Sequence, residues 1–395
     1  LALLCGNSEV AQQAAMWGAS RERWNPDLFA TTLPTFLAQV LPDVPYWPSS
    51  AWGGAFAHQV DSGTCSYYGL GAYLLPATDA RRSGLRFASE CLAMSHVPPA
   101  ATLARMPGGT ALRCTHPAWK ARAPRDLTAG WDFEDVRDHY FKQWLGQDPA
   151  ALRYSDHERY LNLSRVVSAE MMTLAFSEWR RQGSSCQGAL VWLLRDFWAG
   201  AGWGLLDDRG LPKAPFHALR KVLQSQTVLI TDEGSNGLVA HLVNERAQAL
   251  PVCLHLMVWR ADVELASAQF QGCVEPRSTL AVPLMSMLDT FFDLNRAYRF
   301  APRLHDCVHL RLCDELGQTL AQAFHFPEGL SATARTDVGL TAQVQIQDAG
   351  YVAIELHTQR LALGVHFDAP GFVADDEYFH MAPGSSCRVL LRSNK

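Results

Sequence analysis

Five apolar residues open the chain, Leu1, Ala2, Leu3, Leu4 and Cys5, and they run straight into Gly6, Asn7, Ser8 and Glu9. A short unbroken apolar run that stops at a polar turn predicts a strand covered on both faces, as in a parallel sheet. This one ends by delivering a carboxylate to a polar rim. Residues 85–92 repeat the plan, with Leu85, Phe87 and Ala88 leading to Glu90. Further strand ends are expected at Ser49 and Ser50, at Ser66 to Tyr68, and after a buried strand over 188–194. Helical spacing lies between them. It occupies 12–17, then 28–41 with Pro34 as an interruption, then 131–145 and 213–224. Ser155 with Glu158 three residues on reads as a capping box, opening a helix to about 181. Alternating strands and helices predict α/β architecture with a parallel sheet.

From about Thr227 the period changes from 3.6 to 2. Alternating runs at 238–243, 252–259, 279–284 and 305–312, then at 341–346, 351–358 and 388–391, predict antiparallel β-sandwich structure. The expected fold class is α/β followed by all-β. In domain terms it is the second half of a (β/α)8 TIM barrel over 1–226 and two immunoglobulin-like β-sandwich domains, 227–330 and 331–395.

Composition narrows the function classes. Hydrophobic residues make up 48% and charged residues 18%, enough for a large core. The net charge is 34 − 39 = −5 with no basic block, which disfavours nucleic acid. No apolar run approaches a membrane span. Ten cysteines are scattered without a CxxC pair, so they read as reduced core residues and not as a zinc site. That usage favours a cytoplasmic location, with a periplasmic or secreted one left open. The chain begins without Met, inside an expected strand, and is read as the C-terminal part of a longer protein.

In a parallel α/β barrel the C-terminal strand ends form the active-site face. Glu9 and Glu90 would both stand there. Two carboxyls across a pocket are what glycosidic bond cleavage requires. Trp52, Tyr67, Tyr68, Trp192, Trp198 and Trp203 concentrate near the same rim, and flat rings suit the C–H faces of sugars. Blander readings stand beside these. A single strand-end Glu is usually a surface or cap acid, and a single Trp is usually core. His58 and His96 read as satisfied loop histidines. For Asp196, substrate binding and a structural ion pair weigh equally.

At these residues the chain resembles glycoside hydrolase family 2, in its β-mannosidase-like branch. Gly6, Asn7, Ser8 and Glu9 resemble the family's acid/base motif, Gly-Asn-Asn-Glu. Phe87, Ala88, Ser89 and Glu90 resemble its nucleophile motif, Phe-x-Ser-Glu. Trp192 to Trp198, followed by Trp203, Asp207 and Lys213, resemble the eighth-strand motif. Asp375 to Phe379 with Ala382, Pro383 and Gly384 resemble the last β-domain. The resemblance implies Glu9 as acid/base, Glu90 as nucleophile, and a substrate site drawn from Asn7, Ser8, Trp52, Tyr67, Tyr68, Trp192, Asp196 and Trp198. It implies no metal and no cofactor. The implied activity is a retaining exo-β-glycosidase, β-D-mannoside being the first choice. A β-glucosaminidase or β-galactosidase specificity, or a catalytically silent carbohydrate-binding protein, are the alternatives. The implied partner is a carbohydrate, with no nucleic acid and no membrane, and the oligomeric state is unassigned. Three residues depart from the pattern: Ser8 for Asn, Arg195 for Asn, and Cys91, beside the nucleophile position, for Phe. The chain alone is expected to be inactive, with open strand edges.

Overall fold

The computed structural model describes residues 2–300, 302–330, 337–348 and 350–394. The expected boundary near 331 and the opening Leu1 lie outside them. The chain divides into two compact bodies, Leu1–Ala93 with Glu178–Leu194, and Met94–Ser177 with Arg195–Lys395.

The first body is built on short parallel strands. Leu4–Cys5 pairs in parallel with Tyr46–Trp47. Cys65–Tyr67, Ala88–Cys91 and Ala189–Val191 form a parallel three-stranded sheet in that order. The two outer runs correct the expectation of buried strands. Leu3 is 49% exposed, Leu190 58% and Leu194 64%. Apolar strand residues are covered only where layers lie on both faces, and the Leu4–Cys5 pair is a two-stranded sheet. Helices Val10–Met16 and Leu33–Val40 follow the predicted spacing, the latter entered through a π-helical turn, Leu28–Thr32. The interruption expected at Pro34 falls at the junction where the π-helical turn gives way to the α-helix.

The second body carries the long helices. Phe133–Leu145 is capped by Asp132 and Asp135 reciprocally. The capping box expected at Ser155 is corrected. Ser155 ends the preceding helix, Pro149–Ser155, and its hydroxyl donates back to Ala151 O at 3.1 Å. Asp156 caps instead, its carboxylate accepting from Arg159 N at 3.0 Å ahead of His157–Arg180. Either oxygen side chain can cap, and the one outside the helix wins. Ala214–Val222 is the last helix of this region.

Antiparallel sheets follow. Ser278–Pro283, Leu238–Asn244 and Gln226–Asp232 form one, and Thr319–His325, Cys307–Cys313, Leu250–Arg260 and Val263–Val274 form another. Their alternation is the reason they pack. Val252, Leu254, Leu256 and Val258 point inward with Val308, Leu310 and Leu312 to meet Val228, Ala240, Leu242 and Val282. Each such Val or Leu side chain contributes about 1.5–3 kcal/mol by burial. Thr341–Asp348, Tyr351–His357, Ser386–Ser393 and Phe372–Ala374 make a further sheet over Leu356, Met381, Val389 and Leu391. Val263–Val274 and Thr319–His325 were not expected as strands. Their inward positions include Ala266, Ala268, Gly272, Ala321 and Ala323, small residues that weaken the alternation signal.

Candidate active site

The site is assembled in the first body where parallel strands end. Gly6 lets the first strand turn. A Cβ there would stand 2.2 Å from Tyr46 Oη and 2.5 Å from Pro48 O, so no other residue fits. Beyond the turn the chain stays locked to its neighbour. Ser50 N donates to Asn7 O at 3.0 Å, Glu9 N donates to Ser50 O, and Ser8 bridges Ser50 in parallel. Asn7 is the clamp. Its Nδ2 donates to Pro48 O at 3.0 Å, while its Oδ1 accepts from Ser49 Oγ at 2.8 Å and Val10 N at 3.0 Å. Its amide is spent on the loop, with a single N–H left over.

Glu9 follows in the left-handed region, φ 62° and ψ 3°, and caps Val10–Met16. That backbone costs an ordinary residue about 1–2 kcal/mol and is found where a side chain must be aimed. Gln12 and Gln13, one turn on, donate from Nε2 to its two oxygens at 3.1 and 3.4 Å.

Glu90 lies in the strand Ala88–Cys91, beside Ser66 across the ladder. Its two oxygens are gripped separately. Ser8 Oγ donates to Oε1 at 3.1 Å and Tyr68 Oη donates to Oε2 at 2.8 Å. Burial raises the Glu90 carboxyl above its ordinary value and the negative charge of Glu9 adds to the rise, while the bonds from Tyr68 and Ser8 oppose it. Burial, with Glu90 beside it, pushes the Tyr68 phenol far above its usual range, so Tyr68 is a fixed proton donor. Ser50 Oγ donates to Ser89 Oγ at 2.5 Å, and Ser89 Oγ to Cys65 O at 3.1 Å, tying three strand ends together beneath Glu90. These serines were missed as supporting residues, although Ser50 is itself an expected strand end and Ser89 stands next to Glu90.

Other predicted residues divide. Tyr67 is a correction. It is 2% exposed, donates to Asp79 Oδ2 at 2.8 Å and stacks edge-on against Trp179 at 5.4 Å, so it is core. Successive strand residues face opposite ways, and Tyr68 took the rim. Cys91 is fully buried. Trp52 is half-buried and its backbone bridges Thr64. Trp192 is 37% exposed, held by its N–H on Cys91 O at 3.1 Å. The Ser50–Ala51 and Trp192–Leu193 peptides are cis. His58 packs on Phe56 at 4.8 Å.

Asp196 and Trp198 belong to the second body. Asp196 forms a buried ion pair with Lys213 and accepts from Gly204 N at 2.7 Å, so it carries the ion-pair role weighed from the sequence. Lys213 also donates to His96 O at 3.2 Å and Gly202 O at 3.3 Å. A Cβ on Gly204 would meet Asp196 N at 2.5 Å, which fixes that glycine. Arg195 bonds to the backbone of Asp208 through Nε at 3.1 Å, a structural duty for the residue that departs from the family pattern. Trp198 is 53% exposed, and Trp203 lies edge-on to Phe133 at 4.9 Å. Burial keeps His96 neutral. Lys213→Met should therefore leave Asp196 buried and unpaired and destabilise the second body by about 3–5 kcal/mol, read as a lower urea midpoint. A shift under about 1 kcal/mol would mean that Asp196 simply protonates.

A cavity of about 370 Å³ also lies within the second body. Among its polar walls Glu170 pairs with His380 at 2.8 Å and Lys221 with Asp376 at 2.9 Å. No group of three or more His, Cys, Asp or Glu among the described residues is placed to hold a metal ion. No helix among them is long and apolar enough to cross a membrane.

No family model matches the chain. It is similar to β-mannosidase B of Aspergillus clavatus, 36% identical over 253 residues, covering 61% of this chain and 30% of that one. β-Mannosidase B of Aspergillus terreus is 37% identical over 90 residues, covering 22% of this chain and 11% of the relative. In fold it is similar to the β-D-mannosidase of Dictyoglomus thermophilum, with a TM-score of 0.83 at 16% identity, covering 100% of this chain and 46% of that one. The exo-chitosanase of Amycolatopsis orientalis gives 0.68 at 15% identity, covering 99% and 48%. The chain thus spans less than half the length of these proteins. The β-mannosidase-like character read from the motifs is borne out, and the mixed helix and antiparallel-sheet architecture matches part of that fold.

Proposed function

We propose that this β-mannosidase-like chain supplies both catalytic carboxylates of a retaining exo-β-glycosidase whose first-choice substrate is a terminal β-D-mannoside. The observation that carries the reading is the grip on Glu90. A carboxylate held at one oxygen by Ser8 and at the other by Tyr68, with Glu9 beside it, is oriented for attack and not for ion pairing. Glu90 attacks the anomeric carbon as Glu9 gives its proton to the leaving oxygen. Glu9 then takes a proton from the water that releases the sugar from Glu90. Residues 1–226 are read as the second half of a (β/α)8 barrel, which would put both acids on its C-terminal face. The regions 227–330 and 331–395 are read as sandwich domains. Names of relatives support the sugar: the sequence relatives are β-mannosidases, and one fold neighbour is an exo-chitosanase in complex with PNP-β-D-glucosamine. A β-glucosaminidase specificity is therefore the second reading.

The test is a panel of nitrophenyl β-glycosides on the protein that contains this chain, with a 2-fluoro mannoside as trap. The expected result is hydrolysis of the mannoside above the glucosaminide and galactoside, and a covalent label on the peptide holding Glu90. Preference for the glucosaminide would select the second reading. No turnover and no label with any sugar would leave a silent carbohydrate-binding protein.

A further inference from the structure

The alternation that builds the sandwich also puts a pair of thiols on its outer face. Along Leu250–Arg260 the even positions are core, so Cys253, His255 and Met257 look outward. On the neighbouring strand Cys307–Cys313, the register sets Cys313 directly opposite Cys253 and Arg311 directly opposite His255. Residues directly opposed in an antiparallel pair have Cα atoms about 4.5–5.5 Å apart and share a face. A disulfide spans about 4.4–6.8 Å between Cα atoms. Both thiols are free.

The surroundings differ between the two sulfurs. Cys313 is 2% exposed, whereas Cys253 is partly open to solvent. His255 Nε2 lies 3.5 Å from Cys253 Sγ, within reach of the thiol proton. Burial, and then the Arg311 charge, lower the His255 pKa, so the ring is neutral. Burial and the neighbouring Cys313 thiol hold the Cys253 thiol up, and the Arg311 guanidinium opposes both by favouring the thiolate. One accessible thiol, a proton acceptor, a cation and a second thiol straight across the ladder are the components of a two-step oxidation.

We propose that Cys253 and Cys313 are a peroxide-sensitive dithiol that closes to a cross-strand disulfide. Cys253 attacks hydrogen peroxide, passing its proton to His255. One peroxide oxygen stays on sulfur as a sulfenic acid, and the other leaves as water. The Cys313 thiol then attacks that sulfur, the S–S bond forms, and the sulfenic oxygen departs as a second water. The protein loses two electrons and two protons overall, and the peroxide takes both. The same pair reopens with a dithiol reductant. The bond would staple two adjacent strands of the four-stranded sheet and close the chain between positions 253 and 313. It is independent of the glycosidase reading.

The test uses the whole chain, treated with hydrogen peroxide and then alkylated under denaturing conditions. Trypsin places Cys253 in the peptide 247–260 and Cys313 in 312–335, apart from Cys273 and Cys307. The expected result is a peptide linking the first two, two of ten thiols protected, and recovery of all ten after reduction. Cys313→Ser should leave Cys253 as a sulfenic acid that dimedone traps, and Cys253→Ser should leave Cys313 fully alkylatable. Both cysteines remaining as free thiols under peroxide would overturn the proposal, as would linkage of Cys253 to Cys273 on its other neighbour strand. The peptide map of the unmutated chain decides the matter even if a variant misfolds.

Discussion

Glu90→Gln is expected to lower the proposed glycosidase turnover by roughly 10⁴-fold or more, with substrate binding little changed. Glutamine fills the same space and its oxygen can still accept from Tyr68 or Ser8. Its amide nitrogen cannot attack an anomeric carbon, so the covalent step has no nucleophile. The wild-type pH profile provides an independent reading of the same group. The ionised form attacks, and burial raises the Glu90 pKa above the ordinary value of about 4.3. Activity on the acid side should therefore begin to fall at a higher pH than an ordinary glutamate would give. Tyr68→Phe removes a bond that favours the ionised form, so it should push that limb higher still. Retention of more than roughly a tenth of activity in Glu90→Gln, or an acid limb that ignores Tyr68→Phe, would remove Glu90 from the nucleophile role.

The two carboxylates were legible because each ends a short apolar run, and that signal is carried by adjacent residues. What the sequence hid is the choice between neighbours. Tyr67 and Tyr68 are equivalent as letters, yet the pleat sends one to Asp79 and the other to Glu90. Asn7 and Ser8 were both read as sugar contacts. The turn at Gly6 spends Asn7 on Pro48, Ser49 and Val10, and frees Ser8 for Glu90. Such assignments depend on strand register, which no local pattern encodes. The burial of the outer strands was overread for a related reason. An apolar run shows what a strand can bury, and Leu190 and Leu194 show that coverage depends on the partners present. Antiparallel strands were legible where large side chains alternate, and Val263–Val274 and Thr319–His325 were lost where small residues stand among them.

Glu9→Ala should produce a loss that depends on the leaving group. The proton from Glu9 matters in proportion to the basicity of the departing oxygen. Alkyl or sugar aglycones should lose roughly 10²–10⁴-fold in kcat/KM, and a dinitrophenyl aglycone, which leaves without help, should lose little. With the activated substrate the first step survives and the second slows, because no base remains to take the proton from water. The glycosylated enzyme then accumulates. Azide needs no deprotonation and fits the space vacated by the carboxylate, so it should restore turnover and give a glycosyl azide that keeps the β configuration. The support around Glu9 sharpens the test. Gln12 and Gln13 hold its oxygens, and Gln12→Ala should weaken aim without removing the proton, giving a smaller loss of the same leaving-group dependence. A loss in Glu9→Ala that is uniform across aglycones would assign the proton to another group. Asp196 is the next acid by position in the motifs, but it is already engaged by Lys213 and Gly204. A uniform loss would therefore reduce Glu9 to an electrostatic neighbour of Glu90.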